Sequence, residues 1–245
     1  MKNVLWVIII LLFVLTACSK GSPTITKVES DEQTTTQKIA LIENELEDDE
    51  DEENKELLLE FQIPNEKVTI NLEHIGILKS YLVGVENPKQ EIRKMRLRPL
   101  NIPNHETLYL LQFSCFENSC SYLLLDQTED GRSYLLADLA TFEKVLPSPD
   151  YSKLLFVFNK KVADTSVVKH KVVTIDLEEF VPIHPTQHKE ISSNYQWHIA
   201  SIDWNDSSTL SVSLPNIDSP DSSELIKWME SERDTKDISI SFENN

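Results

Sequence analysis

Four glycines in 245 residues, at positions 21, 76, 84 and 131, are too few and too scattered for G-x-G-x-x-G, the Walker phosphate loop or G-x-S-x-G. Each of those motifs needs glycine where backbone must approach a phosphate or take a strained turn. Dinucleotide binding, P-loop phosphoryl transfer and nucleophile-elbow hydrolysis are therefore excluded. Positive charge is also scarce, with 23 Lys and Arg against 41 Asp and Glu for a net of −18. A polyanion of that kind is repelled by phosphate backbones, so nucleic acid is not an expected partner. Cysteine is limited to Cys18, Cys115 and Cys120, with no C-x-x-C. Dithiol redox catalysis and a cysteine-rich zinc site drop out with that spacing.

The longest apolar run, residues 4–15 (VLWVIIILLFVL), follows a single lysine, Lys2. At roughly 1.5 Å per residue such a helix rises about 18 Å, short of the roughly 30 Å hydrocarbon core, and this is the shape of a secretory signal. Leu15-Thr16-Ala17-Cys18 follows it directly. An aliphatic residue, two small ones and then cysteine resemble the lipobox of bacterial lipoproteins. The resemblance implies cleavage between Ala17 and Cys18, a diacylglyceryl thioether on Cys18, and a protein anchored on the extracytoplasmic face of the cell membrane. Two acyl chains, at about 0.8 kcal/mol per buried methylene, hold such an anchor stably.

Residues 1–17 are thus expected to be a signal peptide, 18–56 a disordered acidic tether, and 57–245 a β-rich extracytoplasmic domain. Residues 19–38 are polar and rich in Ser and Thr, and residues 43–56 carry ten carboxylates against one lysine. Self-repulsion favours an extended spacer there. The alternative is a low-affinity calcium site at residues 48–53. Counted from Asp49 as an EF-hand loop, Asp51, Glu53 and Glu60 fit, but Asn54 holds the place of the required glycine.

Beyond residue 57 the apolar residues fall in short runs bounded by Pro, Asn, Asp or Ser, which predicts a mainly β fold. Expected strands cover 57–63, 67–72, 77–85, 107–115, 120–126, 133–139, 142–146, 154–158, 167–175, 196–202, 209–214 and 238–242. Expected helices cover 87–95 and 221–233, the second a packing helix with Leu225, Ile226, Trp228 and Met229 on one side. Asp130-Gly131 marks a tight turn, and residues 116–119 suit a four-residue hairpin loop, so successive strands form an antiparallel meander. The segment SPDYSKLLFVF at 148–158 aligns with WNDSSTLSVSL at 204–214. It resembles the SPDG-type turn and strand of TolB-type β-propellers, with Tyr151 and Ser207 in place of the glycine. That resemblance implies a propeller-like or incomplete propeller architecture; a β-sandwich is the alternative.

Chemistry is sparsely signposted. Cys115 and Cys120 flank the predicted hairpin loop and are either a disulfide or free thiols; export to an oxidising space favours the pair. His184 and His188, in His-Pro-Thr-Gln-His, are the one compact histidine pair. Pro185 disfavours helical backbone at His184 and the zincin glutamate is missing, so no metal site is expected. Ser166-Val167-Val168-Lys169 matches S-x-x-K, but in a strand its serine and lysine point to opposite faces. Lys89, Arg93, Lys94, Arg96 and Arg98 form the one basic island, which is either a solvated face or an anion- or partner-binding surface. Trp197, Trp204 and Trp228 fit core or turn packing better than a sugar platform. No catalytic residue and no cofactor is indicated. The function expected is a membrane-anchored binding or assembly module with an envelope or protein partner. An envelope-directed hydrolase or transferase and a cation-binding lipoprotein are the alternatives.

Overall fold

The computed structural model describes residues 25–29, 38–45, 55–64, 66–128, 131–188, 191 and 194–242. The lipobox, Cys18 and the acidic stretch 46–54 lie outside these residues. The chain is mainly β, in three antiparallel sheets with a late helix. Among the described residues, no helix is long and apolar enough to cross a membrane.

The first sheet runs β1-β4-β3-β2, from Ile25–Glu29 (β1), Lys38–Glu45 (β2), Lys55–Ile63 (β3) and Glu66–Asn71 (β4). Its outer strands β1 and β2 come from the segment expected to be an irregular tether, which corrects the boundary at residue 57. The reason is local alternation. Ile39 and Leu41 pair across β3 with Phe61 and Leu59 and pack on the core, while Ile25 pairs with Ile70 and is buried. Short polar-flanked strands of this kind gain their stability from the sheet they join.

After a 3-10 turn at Leu72–His74 come helices α1 (Gly76–Gly84) and α2 (Pro88–Lys94). The expected strand at 77–85 is therefore a helix. Ile75, Leu78 and Leu82 are buried while Ile77 and Val83 face solvent, a spacing of three and four that only a helix can bury on one side. Helix α2 begins as expected, with Asn87 Oδ1 accepting from the Gln90 N–H at 3.1 Å and Pro88 in its first turn.

The second sheet is a seven-stranded meander, from Arg96–Pro99 (β5), Leu108–Phe116 (β6), Ser119–Asp126 (β7), Arg132–Pro147 (β8), Lys153–Lys161 (β9), Val168–Asp176 (β10) and Val181–Ile183 (β11). Strands expected separately at 133–139 and 142–146 are one strand, β8. Its first half pairs with β7 and its second half with β9. Leu139 takes φ 44° at the join, and register shifts lie on both sides, so the strand bends and folds the sheet over. Gly131 takes φ 50° in the β7–β8 turn, the conformation a side chain disfavours.

This bend explains the apolar runs. On β6, Tyr109 and Leu111 face the first sheet and the two helices, whereas Leu108 and Leu110 face the second half of the meander. On β9, Leu154, Phe156 and Phe158 point back into that same layer, and Leu155 and Val157 point onward to the third sheet. Strands buried on both faces lose the polar half of their alternation.

The third sheet is Ser201–Asp206 (β12), Thr209–Pro215 (β13) and Thr235–Ser241 (β14), with helix α3 (Ser222–Glu230) between the last two. Helix α3 packs through Leu225 and Trp228, as expected. Trp204 Nε1 donates to the Leu146 carbonyl and Lys144 Nζ to that of Ile202, each at 3.2 Å, tying β12 to β8.

The two aligned turns share one device. Asp150 Oδ1 accepts from Ser148 Oγ at 2.6 Å and from the Ser152 N–H at 3.1 Å; Asp206 Oδ1 accepts from the Ser208 N–H at 2.8 Å. Tyr151, at the glycine position, takes φ 60°. Burial raises the Asp150 carboxyl, but hydrogen bonds from Ser148, Ser152 and Ser207 outweigh it and hold the group below its ordinary range.

Candidate functional site

The β6–β7 hairpin closes more tightly than expected. Phe116 pairs with Ser119, leaving a two-residue turn in which Glu117 takes φ 52°. A bulge at Ser114, φ 49°, shifts the register so that Cys115 lies opposite Cys120, with Cα atoms 4.1 Å apart and the sulfurs bonded. Gln112 Nε2 lies 3.3 Å from Cys115 Sγ and 3.0 Å from Cys120 Sγ. Closing so short a loop contributes about 2 kcal/mol on the chain-entropy argument. Urea unfolding with and without reductant is expected to show that difference; coincident curves would mean the bond constrains nothing.

Three members of the basic island, Arg93, Lys94 and Arg96, line a groove with this hairpin. Arg93 and Lys94 end α2, Arg96 opens β5, and β5 pairs with β6 so that Arg96 lies across from Gln112. Arg96 Nη1 donates to the carbonyls of Arg93 at 3.0 Å and Met95 at 2.7 Å, a cation seated at a helix C-terminus. Lys94 Nζ sits 2.6 Å from Glu91 Oε1, and Tyr81 donates to Glu91 Oε2 at 2.7 Å. Hydrogen bonds from Lys94 and then Tyr81 hold the Glu91 carboxyl below its ordinary range, and burial, with Glu91 beside it, pushes the Tyr81 phenol up to about 12. These contacts fix α2 against α1 and present its basic end to an open groove.

That groove has a volume of about 570 Å³. It is lined by Arg93, Lys94 and Arg96, by the disulfide, and by Gln112, Asn118 and Tyr122, with Glu117 the one carboxylate. Tyr122 is 5% exposed, and its hydroxyl oxygen accepts from the Phe142 N–H at 3.3 Å. Burial raises its phenol, against the Phe142 bond and the Arg98 charge, so the hydroxyl keeps its proton at neutral pH. Arg98 lies over the Phe142 ring at 5.3 Å, behind Tyr122. The exposed Phe116 stands at the hairpin tip beside these groups.

The structure also assembles a histidine pair that spacing does not show. His170, on β10 and 4% exposed, lies 5.1 Å ring to ring from His198. Its Nδ1 accepts from the Ile199 N–H at 2.9 Å, so the hydrogen sits on Nε2, which donates to Glu143 Oε2 at 3.1 Å. Both nitrogens are consumed, and His170 is a structural clamp. The N–H of His170 also bonds the Trp197 carbonyl at 2.7 Å, so the Trp197 carbonyl and the Ile199 N–H are both satisfied by this clamp. The strand expected at 196–202 accordingly begins only at Ser201.

His198 Nδ1 donates to the Val168 carbonyl at 3.0 Å, and its ring lies 5.4 Å from Trp228. Burial first, then the neighbouring His170 and Arg233, hold the His198 pKa below its ordinary value, outweighing Val168 and Glu143. A depressed folded pKa means that the contribution is complete above the unfolded value of about 6.5 and is lost as pH falls through the folded one. Unfolding free energy is expected to drop between pH 7 and pH 5, less steeply in His198→Gln; equal slopes would remove His198 as the cause.

The remaining sequence candidates stay apart. His184 follows β11 and His188 sits in the loop beyond it at φ 55°, with no helix to join them. Ser166 precedes β10 and Lys169 lies in it. Among the described residues, no group of three or more His, Cys, Asp or Glu is placed to hold a metal ion. Trp204 packs against Phe242 and Trp228 against His198, as core-facing tryptophans. The chain matches no family model, no curated protein and no solved structure.

Proposed function

We propose that this chain is a lipid-anchored extracytoplasmic binding module, held to the cell membrane through Cys18, which offers the groove beside the Cys115–Cys120 disulfide to an envelope component or protein partner. The anchor rests on the lipobox resemblance of Leu15-Thr16-Ala17-Cys18. The observation that carries the binding half is the groove: a solvent-open concavity lined by three cations in a chain of net charge −18. Charge placed against the overall balance, on one built concave surface, fits recognition better than solvation. No observation among the described residues favours the hydrolase or transferase reading over it, and the stretch 48–53 of the calcium reading lies outside them.

Two measurements test the two halves. Cys18→Ala is expected to abolish incorporation of radioactive fatty acid and leave a larger precursor; unchanged labelling defeats the anchor. A photo-reactive residue in place of Asn118 is expected to give, in intact cells, a discrete cross-linked species that Arg96→Glu removes. A cross-link pattern indifferent to Arg96→Glu defeats the groove as the binding face.

A further inference from the structure

We infer that the ligand group received by the groove is a phosphate ester. The inference deepens the binding-module reading and rests on it. Three cations converge from two elements, Arg93 and Lys94 from the end of α2 and Arg96 from β5. Asn118 and Tyr122 line the same space, and Gln112, its Nε2 already donating to the two sulfurs, lies with them. A planar carboxylate offers one charge and two oxygens to such a ring of donors. A phosphate offers up to two charges and several oxygens in a tetrahedral array, which guanidinium forks match with paired hydrogen bonds.

Tyr122 is the second and independent observation. Its hydroxyl oxygen accepts the Phe142 N–H, and the side chain is 5% exposed. A hydroxyl that accepts one bond keeps its own proton to give, and the residue lines the cationic groove, where an anion would take it. The chain's net charge of −18 repels extended polyanions over distance, but a single phosphate in the groove feels chiefly the cations within a Debye length of about 8 Å.

Such a group could arrive as a soluble ester or as a phospholipid headgroup, and the test separates the two. Full-length protein in neutral detergent is titrated at constant ionic strength with inorganic phosphate and with glycerol phosphate, with chloride as the control, by calorimetry and thermal shift. Saturable binding is expected, weakened about tenfold or more in Arg93→Ala and in Arg96→Ala, each of which removes a charge-assisted contact. Tyr122→Phe is expected to weaken it several-fold. Because that change also strands the Phe142 N–H, the two exposed arginine variants carry the test if it fails to fold. Binding of phosphate together with phosphatidylglycerol vesicles, and not phosphatidylcholine vesicles, supports the inference with a lipid source. Binding of phosphate without vesicles supports it with a soluble source. Binding of vesicles alone overturns it, since a diffuse charged surface then suffices. A phosphate response no larger than that of chloride, or one unchanged in both arginine variants, also overturns it. If phosphate fails while the Asn118 cross-link and its dependence on Arg96 persist, the binding module stands and only its ligand class falls.

Discussion

Arg132→Ala is expected to lower stability by about 3 kcal/mol, or the melting midpoint by roughly 6 to 12 °C for a chain of this size. Asp126 is 3% exposed at the end of β7. Its Oδ2 receives Arg132 Nη2 at 2.6 Å and Nε at 3.2 Å, and its Oδ1 receives the Thr107 hydroxyl at 2.8 Å. The same guanidinium donates through Nη1 to the Glu178 carbonyl at 2.9 Å and lies 4.6 Å from the centre of the Phe180 ring. One side chain thus neutralises a buried carboxylate and fastens the β7–β8 hairpin to the β10–β11 turn. Alanine leaves the carboxylate buried with only the Thr107 and Thr128 hydroxyls as partners, and desolvation of that charge is the main cost. Arg132→Lys is expected to recover only part of the loss, because an ammonium cannot reach both sites in a fork. Arg132→Ala in an Asp126→Asn background should cost much less than in the wild type. Urea unfolding of the four proteins measures the coupling, and a coupling near zero would show that Asp126 is satisfied without its arginine.

The second large effect is expected at Phe158. Its ring is fully buried, lying 5.3 Å from Tyr122, 5.8 Å from Phe142 and 6.5 Å from Phe156. Phe158 belongs to β9, Phe142 to β8 and Tyr122 to β7, so the cluster fills the angle inside the folded sheet. Phe158→Ala is expected to cost about 3 to 5 kcal/mol, the transfer loss plus a cavity that the bent sheet cannot close. Phe158→Leu should cost far less. The loss should also reach the groove, because Tyr122 rests on this ring and presents its hydroxyl from that position. Weaker phosphate binding by a variant that is still folded at low temperature would show that coupling; unchanged affinity would show that Tyr122 is held by Phe142 alone.

Strands 57–63, 120–126 and 154–158 were legible because runs of Leu, Ile, Val and Phe of that length end at turn residues. Helix α1 was not, since GILKSYLVG is short and apolar enough to suit either state, and only the core beneath Ile75, Leu78 and Leu82 decides. The first two strands were hidden for the opposite reason. Ile25, Ile39 and Leu41 are too few among polar neighbours to signal a strand before β3 and β4 are there to receive them. At the groove, each part was visible and the assembly was not. The basic island and the cysteine pair both stood out, but it is the β5–β6 register, Arg96 opposite Gln112, that makes them one surface. Tyr122 carried no signal, since a tyrosine within an apolar strand is ordinarily core. His170 and His198 are 28 residues apart and meet only because the chain returns along β10.

The bent strand β8 bears on how this protein opens. Most two-layer β structures divide along a loop, and one layer can fray while the other persists. Here the same backbone supplies ladder partners to β7 and to β9, so loosening either layer strips β8 of half its hydrogen bonds and releases the aromatic cluster in its angle. Amide protons of β7, β8 and β9 should then exchange with deuterium through one shared opening event of near-global free energy, while β1 and β14 at the outer margins exchange earlier. A groove floored by β7 would inherit that rigidity, keeping its donors in place before any ligand arrives.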